Sequence, residues 1–183
     1  EWVLDSAFRQ ARQWYEEGRQ VQIAINISAR QFLQPGFTES IARRLREYDI
    51  PASLIELELT ETSIMDNHQL ASAVLVELRA LGVSLSIDDF GTGYSSLAYL
   101  SAFPVDKVKI DRSFVSQMVD APKQQAIVLT ICQLAHNLGL KVIAEGVETD
   151  VQRELLHQYG CDYLQGYLFA RPVPASEAVT LFN

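Results

Sequence analysis

Apolar positions alternate along the chain between a helical rhythm and a two-residue rhythm. Val3, Ala7, Phe8, Ala11, Trp14 and Tyr15 recur at helical spacing and predict a helix over residues 2–18, with Gly18 as its stop. A strand is predicted at 21–27. A second helix runs through Phe37, Ile41, Leu45 and Tyr48, and a strand at 54–60 follows. Leu70, Val74, Leu78 and Leu81 predict a third helix, stopped by Gly82. Four further strands read at 83–89, 105–111, 141–147 and 163–169. Helices through Ile127–Leu138 and from Thr149 to Tyr159 separate the later ones, and a last helix follows Pro174. Strands joined by helical crossovers make a parallel sheet, either open and doubly wound or closed as a barrel. A complete eight-unit barrel takes about 250 residues, so this chain is roughly 70 short, about two strand–helix units.

Strands buried on both faces should be almost wholly apolar. Here one parity of several strands is polar: Gln22, Ala24, Asn26 and Ser28; Glu56, Glu58 and Thr60; Ser84, Ser86 and Asp88; Lys107, Lys109 and Asp111. Strand side chains alternate between faces, so each set lies on one face, which in a barrel is the lumen. Asn26, Glu58, Asp88, Lys109, Glu145 and Gln165 then converge at the C-terminal strand ends, where parallel folds place their active sites. Bringing Glu58, Asp88 and Glu145 together, with Asp89 beside them, overwhelms one lysine. Either divalent cations or a buried ion-pair network must balance them. Oxygen-rich ligands of this kind suit Mg²⁺ or Mn²⁺.

Composition narrows the setting. The 183 residues are 48% hydrophobic and 21% charged, enough for one domain with a sizeable core, and no low-complexity stretch, repeat or linker interrupts them. The net charge of −8 argues against a nucleic-acid polymer as partner, but not against a small phosphorylated ligand held through cations. No run of eighteen apolar residues offers a membrane contact. Cys132 and Cys161, far apart in sequence, read as reduced core thiols in a cytoplasmic setting. His68, His136 and His157 fall in helical patterns without shared spacing and read as surface or structural.

Residues 88–97 read Asp-Asp-Phe-Gly-Thr-Gly-Tyr-Ser-Ser-Leu. Gly91-Thr92-Gly93 alone is a weak phosphate-loop signal. The ten-residue string resembles the signature loop of the EAL family of cyclic di-GMP phosphodiesterases. Other segments agree in order: Asn26-Ile27-Ser28, Glu58-Leu59-Thr60-Glu61, Lys109-Ile110-Asp111, Glu145-Gly146-Val147-Glu148, and Gln165-Gly166-Tyr167-Leu168-Phe169 with Arg171-Pro172. The family's Glu-Ala-Leu string, which carries a further metal-binding Glu, does not occur.

The resemblance implies a TIM-type (β/α) barrel, incomplete at six of eight units, with residues 1–183 forming an EAL domain that lacks its N-terminal portion. It implies hydrolysis of cyclic di-GMP to linear pGpG by a two-metal mechanism in the parent, with the isolated piece inactive. A non-catalytic cyclic di-GMP receptor and a purely structural or dimerising domain are the competing readings. By resemblance, Asn26, Glu58, Asp88, Asp89 and Glu145 hold two Mg²⁺ or Mn²⁺ ions. Lys109 and Glu145 are catalytic, with Lys109 on the attacking water or the transition-state charge. Gln165, Glu148 and Asp111 face substrate. Phe169 and Pro172 are assigned either to a guanine or, for Phe169, to the core. Glu61, Gly91 and Gly93 position the loop, with helix capping as the other reading of Glu61. Homodimerisation and neighbouring GGDEF or sensor domains are implied as partners.

Overall fold

The computed structural model describes residues 1–65, 68–92 and 97–182. Six parallel strands lie in chain order: β1 (Ile23–Ile27), β2 (Ile55–Thr60), β3 (Ser84–Phe90), β4 (Lys107–Ile110), β5 (Lys141–Ala144) and β6 (Tyr163–Leu164). The helices are α1 (Trp2–Glu16), α2 (Ala29–Phe32), α3 (Phe37–Tyr48), α4 (Glu61–Met65), α5 (His68–Leu81), α6 (Leu97–Ala102), α7 (Arg112–Gln117), α8 (Pro122–Asn137), α9 (Asp150–Gln158) and α10 (Ala175–Ala178). Short 3₁₀ turns cover Ala52–Leu54 and Val179–Leu181. The parallel β/α order gives a curled, partly formed barrel, with β1 and β6 at the two edges.

The alternation read from the sequence places the core. Ile25, Ile27, Leu57, Leu59, Leu85, Ile87, Val108, Ile110, Val142 and Ala144 are buried on the helix side. Burying each larger aliphatic side chain contributes about 1.5–3 kcal/mol, so this layer holds the sheet to its helices. The lumen parity carries the acids and lysines. Register sets Asn26 beside Glu58, Glu58 beside Ser86, and Thr60 beside Asp88.

Several boundaries differ from expectation. On α1 the buried residues are Leu4, Phe8, Ala11 and Trp14, whereas Val3 and Tyr15 are exposed. Two overlapping stripes satisfy helical spacing there, and the one through Leu4 meets α3. β5 stops at Ala144 because Gly146 takes φ +69, and β6 stops at Leu164 because the chain turns at Gly166. A Cβ on Gly166 would lie 2.1 Å from the Val147 carbonyl oxygen, so only glycine allows this backbone approach. The last helix is one turn long.

One buried charge carried no expectation. Arg44 on α3 is 1% exposed, on the same stripe as Phe37 and Ile41. Its Nε donates to Asp5 Oδ1 at 2.8 Å, and its guanidinium also meets Glu1 and Ser40. This cluster pins α1 to α3. No helix of the described residues is long and apolar enough to cross a membrane.

Candidate active site

Lys109 stands on β4 with its Nζ inside the lumen, 3% exposed. The ammonium meets Glu145 Oε1 at 2.6 Å, Glu58 Oε2 at 2.8 Å and Asp88 Oδ1 at 3.1 Å. Three strands thus deliver one carboxylate each to a single lysine. With Asp89 included, four carboxylates face one ammonium, a formal surplus of three negative charges.

Burial drives the electrostatics. It raises the Glu58 carboxyl above its usual range, against the opposing pull of Lys109. Glu145 is raised for the same reason. Asp89 is raised by burial and by its neighbours Asp88 and Asp111. For Lys109 burial works against the charge, but Glu145 and Glu58 outweigh it and its pKa rises. A lysine so held stays protonated across the neutral range and cannot serve as a base there. Asp111 moves down: burial opposes this, but hydrogen bonds from Ser113 prevail. Asp111 accepts the Ser113 backbone N–H at 3.0 Å and caps α7.

Asp89 takes φ +54, one of two non-glycine residues with positive φ among those described. The left-handed region costs an L-residue roughly 1–2 kcal/mol, least for Asp or Asn. That twist, stabilised by the Thr92 hydroxyl donating to the Asp89 carbonyl at 2.8 Å, separates the Asp88 and Asp89 carboxylates. Asp88 turns to Lys109 and Asp89 toward Asp111. The next turn is tied down by Glu61, buried at the start of α4, whose Oε2 accepts the Gly91 N–H at 3.2 Å. Gly91 takes φ +94, and a Cβ there would press on Phe114 at 3.2 Å. Gly93 lies outside the described residues.

Beside the acids, Arg112, Glu145, Gly146, Glu148, Gln165, Gly166 and Tyr167 line a cleft. The Arg112 stem lies over Gly146, where a Cβ would fall 2.4 Å from Arg112 Cγ. The Tyr167 ring stacks with Arg171, 4.7 Å from guanidinium carbon to ring centroid. Neither Arg112 nor Tyr167 was singled out from the sequence: Arg112 follows the end of β4, and Tyr167, inside the strand expected at 163–169, lies beyond the end of β6. Phe169 is 51% exposed in this chain, and Pro172 is exposed beyond it. Asn26 is exposed on edge strand β1.

A second ionic layer lies one step below. Lys107 Nζ donates to Glu56 and to Gln22 Oε1 at 2.7 Å, and sits 5.6 Å from the Tyr163 ring centroid. Glu56 Oε1 and Ser86 Oγ are buried without a hydrogen-bond partner among the described residues.

The donor chemistry fits divalent cations: hard carboxylate oxygens and a surplus of negative charge that one lysine leaves unbalanced. Among the described residues, no three carboxylate, imidazole or thiol side chains form a ready cage by themselves, because Lys109 sits between the acids.

The fold is a partly formed β/α barrel whose mouth is acidic and centred on Lys109. The EAL domain family model matches residues 1–172, and the chain therefore belongs to the EAL domain family. It is 46% identical over 176 residues to the signaling protein YkoW of Bacillus subtilis (strain 168), covering 96% of this chain and 22% of YkoW. It is 44% identical over 178 residues to MucR of Pseudomonas aeruginosa, named a bifunctional diguanylate cyclase/cyclic di-GMP phosphodiesterase, covering 97% of this chain and 26% of MucR. The solved PaMucR phosphodiesterase in complex with c-di-GMP superposes with a TM-score of 0.93 at 44% identity, over 96% of this chain and 72% of that one. Klebsiella pneumoniae BlrP1, solved with manganese and cy-diGMP, superposes with a TM-score of 0.82 at 34% identity, over 91% of this chain and 42% of that one. The chain thus spans about a quarter of the curated relatives' length.

Proposed function

We propose that this chain forms most of the catalytic site of a phosphodiesterase that opens cyclic di-GMP to linear pGpG. The observation that carries the reading is the convergence of Glu58, Asp88 and Glu145, from three strands, on Lys109 at the barrel mouth. Asn26, Glu58, Asp88, Asp89 and Glu145 are the residues that would hold two Mg²⁺ or Mn²⁺ ions. Such ions supply Lewis acidity and lower the pKa of a bound water. The protein's own residues do the rest. Lys109, protonated at neutral pH, donates hydrogen bonds to the attacking water or to a phosphate oxygen as charge builds. Glu145 joins the lysine to the cleft, where Glu148, Gln165 and Arg112 meet the ligand. Asp111 holds Asp89 in its twisted position, and Glu61 fixes the turn through Gly91. Phe169 and Pro172, both exposed, offer apolar surface to a guanine.

This activity is assigned to a longer parent in which further strands complete the lumen. In the chain alone β1 and β6 are edges, and Asn26 and Ala24 face an open side. The 183-residue chain by itself is expected to be inactive, since a metal site short of a ligand or a wall loses affinity steeply. Homodimerisation, neighbouring GGDEF or sensor domains and a cytoplasmic setting belong to the same reading. Glu58→Ala and Asp88→Ala in the parent test the site. Each should abolish Mn²⁺ binding and hydrolysis while the far-UV circular dichroism stays that of the parent; retained binding and turnover would defeat the assignment.

A further inference from the structure

Lys107 shares the lumen face of β4 with Lys109, two residues before it and so about 6.6 Å deeper along the strand. Its contacts reach across the lumen. The ammonium donates to Glu56 on β2 and to Gln22 Oε1 at 2.7 Å, just ahead of β1. Gln22 Nε2 in turn donates to the Ser53 carbonyl at 3.0 Å, in the 3₁₀ turn that leads into β2. The ammonium also stands 5.6 Å from the ring centroid of Tyr163 on β6. Glu56 is buried, and among the described residues Lys107 is the only cation paired with it. Neither β2 nor β6 is a neighbour of β4, because β3 and β5 lie between them. Backbone ladders hold adjacent strands about 4.8 Å apart. How sharply the sheet curls over three strands depends on what ties the side chains of its lumen face. The Glu56–Lys107 pair is such a tie, a chord from β2 to β4 across β3. The level above it uses the same two strands, with Glu58 from β2 meeting Lys109 from β4 at 2.8 Å. Glu56 and Glu58 lie within one paired stretch of β2, and Lys107 and Lys109 within one of β4, so the two levels move together.

We propose that Lys107 is a positioning residue of the site above it: by tying Glu56 across β3 it sets the curl of the sheet, and with it the spacing at which Glu58 on β2 faces Asp88 and Glu145. The proposal rests on the reading of those carboxylates as a metal-holding set. Lys107 itself touches none of them; it acts through Glu56 and the two strand backbones. Groups that orient metal ligands from behind typically matter about 10–100-fold in metal affinity or activity, because the ligands tolerate little displacement.

The test compares Mn²⁺ binding, by titration calorimetry, and cyclic di-GMP hydrolysis in the parent protein and three variants. Lys107→Met removes the tie together with a positive charge. The double variant Lys107→Met/Glu56→Leu removes the tie at constant net charge and leaves no buried carboxylate unpaired, so a lone charge does not compromise its folding. Lys107→Arg keeps the tie. Both variants without the tie should bind Mn²⁺ about 10-fold more weakly and lose about 10-fold in kcat, with KM for cyclic di-GMP within about twofold; Lys107→Arg should stay within about threefold of the unaltered protein in each. Loss of a nearby positive charge would by itself strengthen cation binding, so weaker binding in Lys107→Met has the sign of displacement and not of charge. Unchanged or tighter Mn²⁺ binding in both variants without the tie would overturn the proposal, as would Lys107→Arg falling with them. Binding is read apart from turnover, so weaker binding in those variants supports the proposal even where the unaltered protein fails to hydrolyse cyclic di-GMP, and hydrolysis by the unaltered protein with unimpaired variants defeats the proposal alone.

Discussion

Replacing Lys109 by methionine removes the one positive charge among four buried or half-buried carboxylates while keeping most of the side-chain volume. Removing one partner of a buried ion pair costs about 3–5 kcal/mol, because the other charge is left uncompensated. Lys109 serves three carboxylates at 2.6–3.1 Å, so the upper half of that range applies near pH 7.5 without divalent cations. The pH dependence follows from linkage. Glu58, Glu145 and Asp89 bind protons more tightly folded than unfolded, so their share of stability is present at low pH and is lost as pH rises through their folded pKa values. Lys109, also raised, contributes stability below its unfolded value that is lost only at strongly alkaline pH. In Lys109→Met the acids lose their counter-charge and their pKa values climb further. Acidifying to about pH 5 should therefore neutralise them and close much of the gap to the unaltered chain. Urea unfolding followed by circular dichroism in chelator, at both pH values, reads this directly. A deficit below about 1 kcal/mol, or one that does not change with pH, would refute the lysine-centred electrostatics.

Other consequences are equally open to measurement. Gly166→Ala forces a methyl into the Val147 backbone and should cost about 1–3 kcal/mol in urea unfolding, since backbone rather than a flexible side chain must move. Ser86→Ala removes a buried hydroxyl without a partner among the described residues and should be neutral or stabilising by up to about 1 kcal/mol, whereas most core polar deletions destabilise. Arg44→Ala should cost about 2–4 kcal/mol and Arg44→Met clearly less, because Glu1 and Asp5 are solvated enough to lose their partner and the missing volume dominates.

The parity of polar residues on the strands carried most of the fold and the site. Glu58, Asp88, Lys109 and Glu145 stand at one level because side-chain direction in a strand depends only on odd or even position. Sequence could not show that Lys109 sits at the centre of the acids, since that depends on reach across the lumen. Nor did it separate the Lys107–Glu56 layer from the site above, as both share the same parity. Arg44 was legible in principle, three residues after Ile41 on the buried stripe, but a charged residue there reads as surface until its partners on α1 are known. The strand ends at Ala144 and Leu164 depended on glycine conformations at 146 and 166 that the apolar runs conceal.

The most direct measurement is product analysis of the parent protein with cyclic di-GMP and Mg²⁺ or Mn²⁺. The site described predicts linear pGpG as the product, formed only with the cation and lost with Glu58→Ala. Tight binding of cyclic di-GMP with no turnover under those conditions would contradict the catalytic reading and leave a receptor.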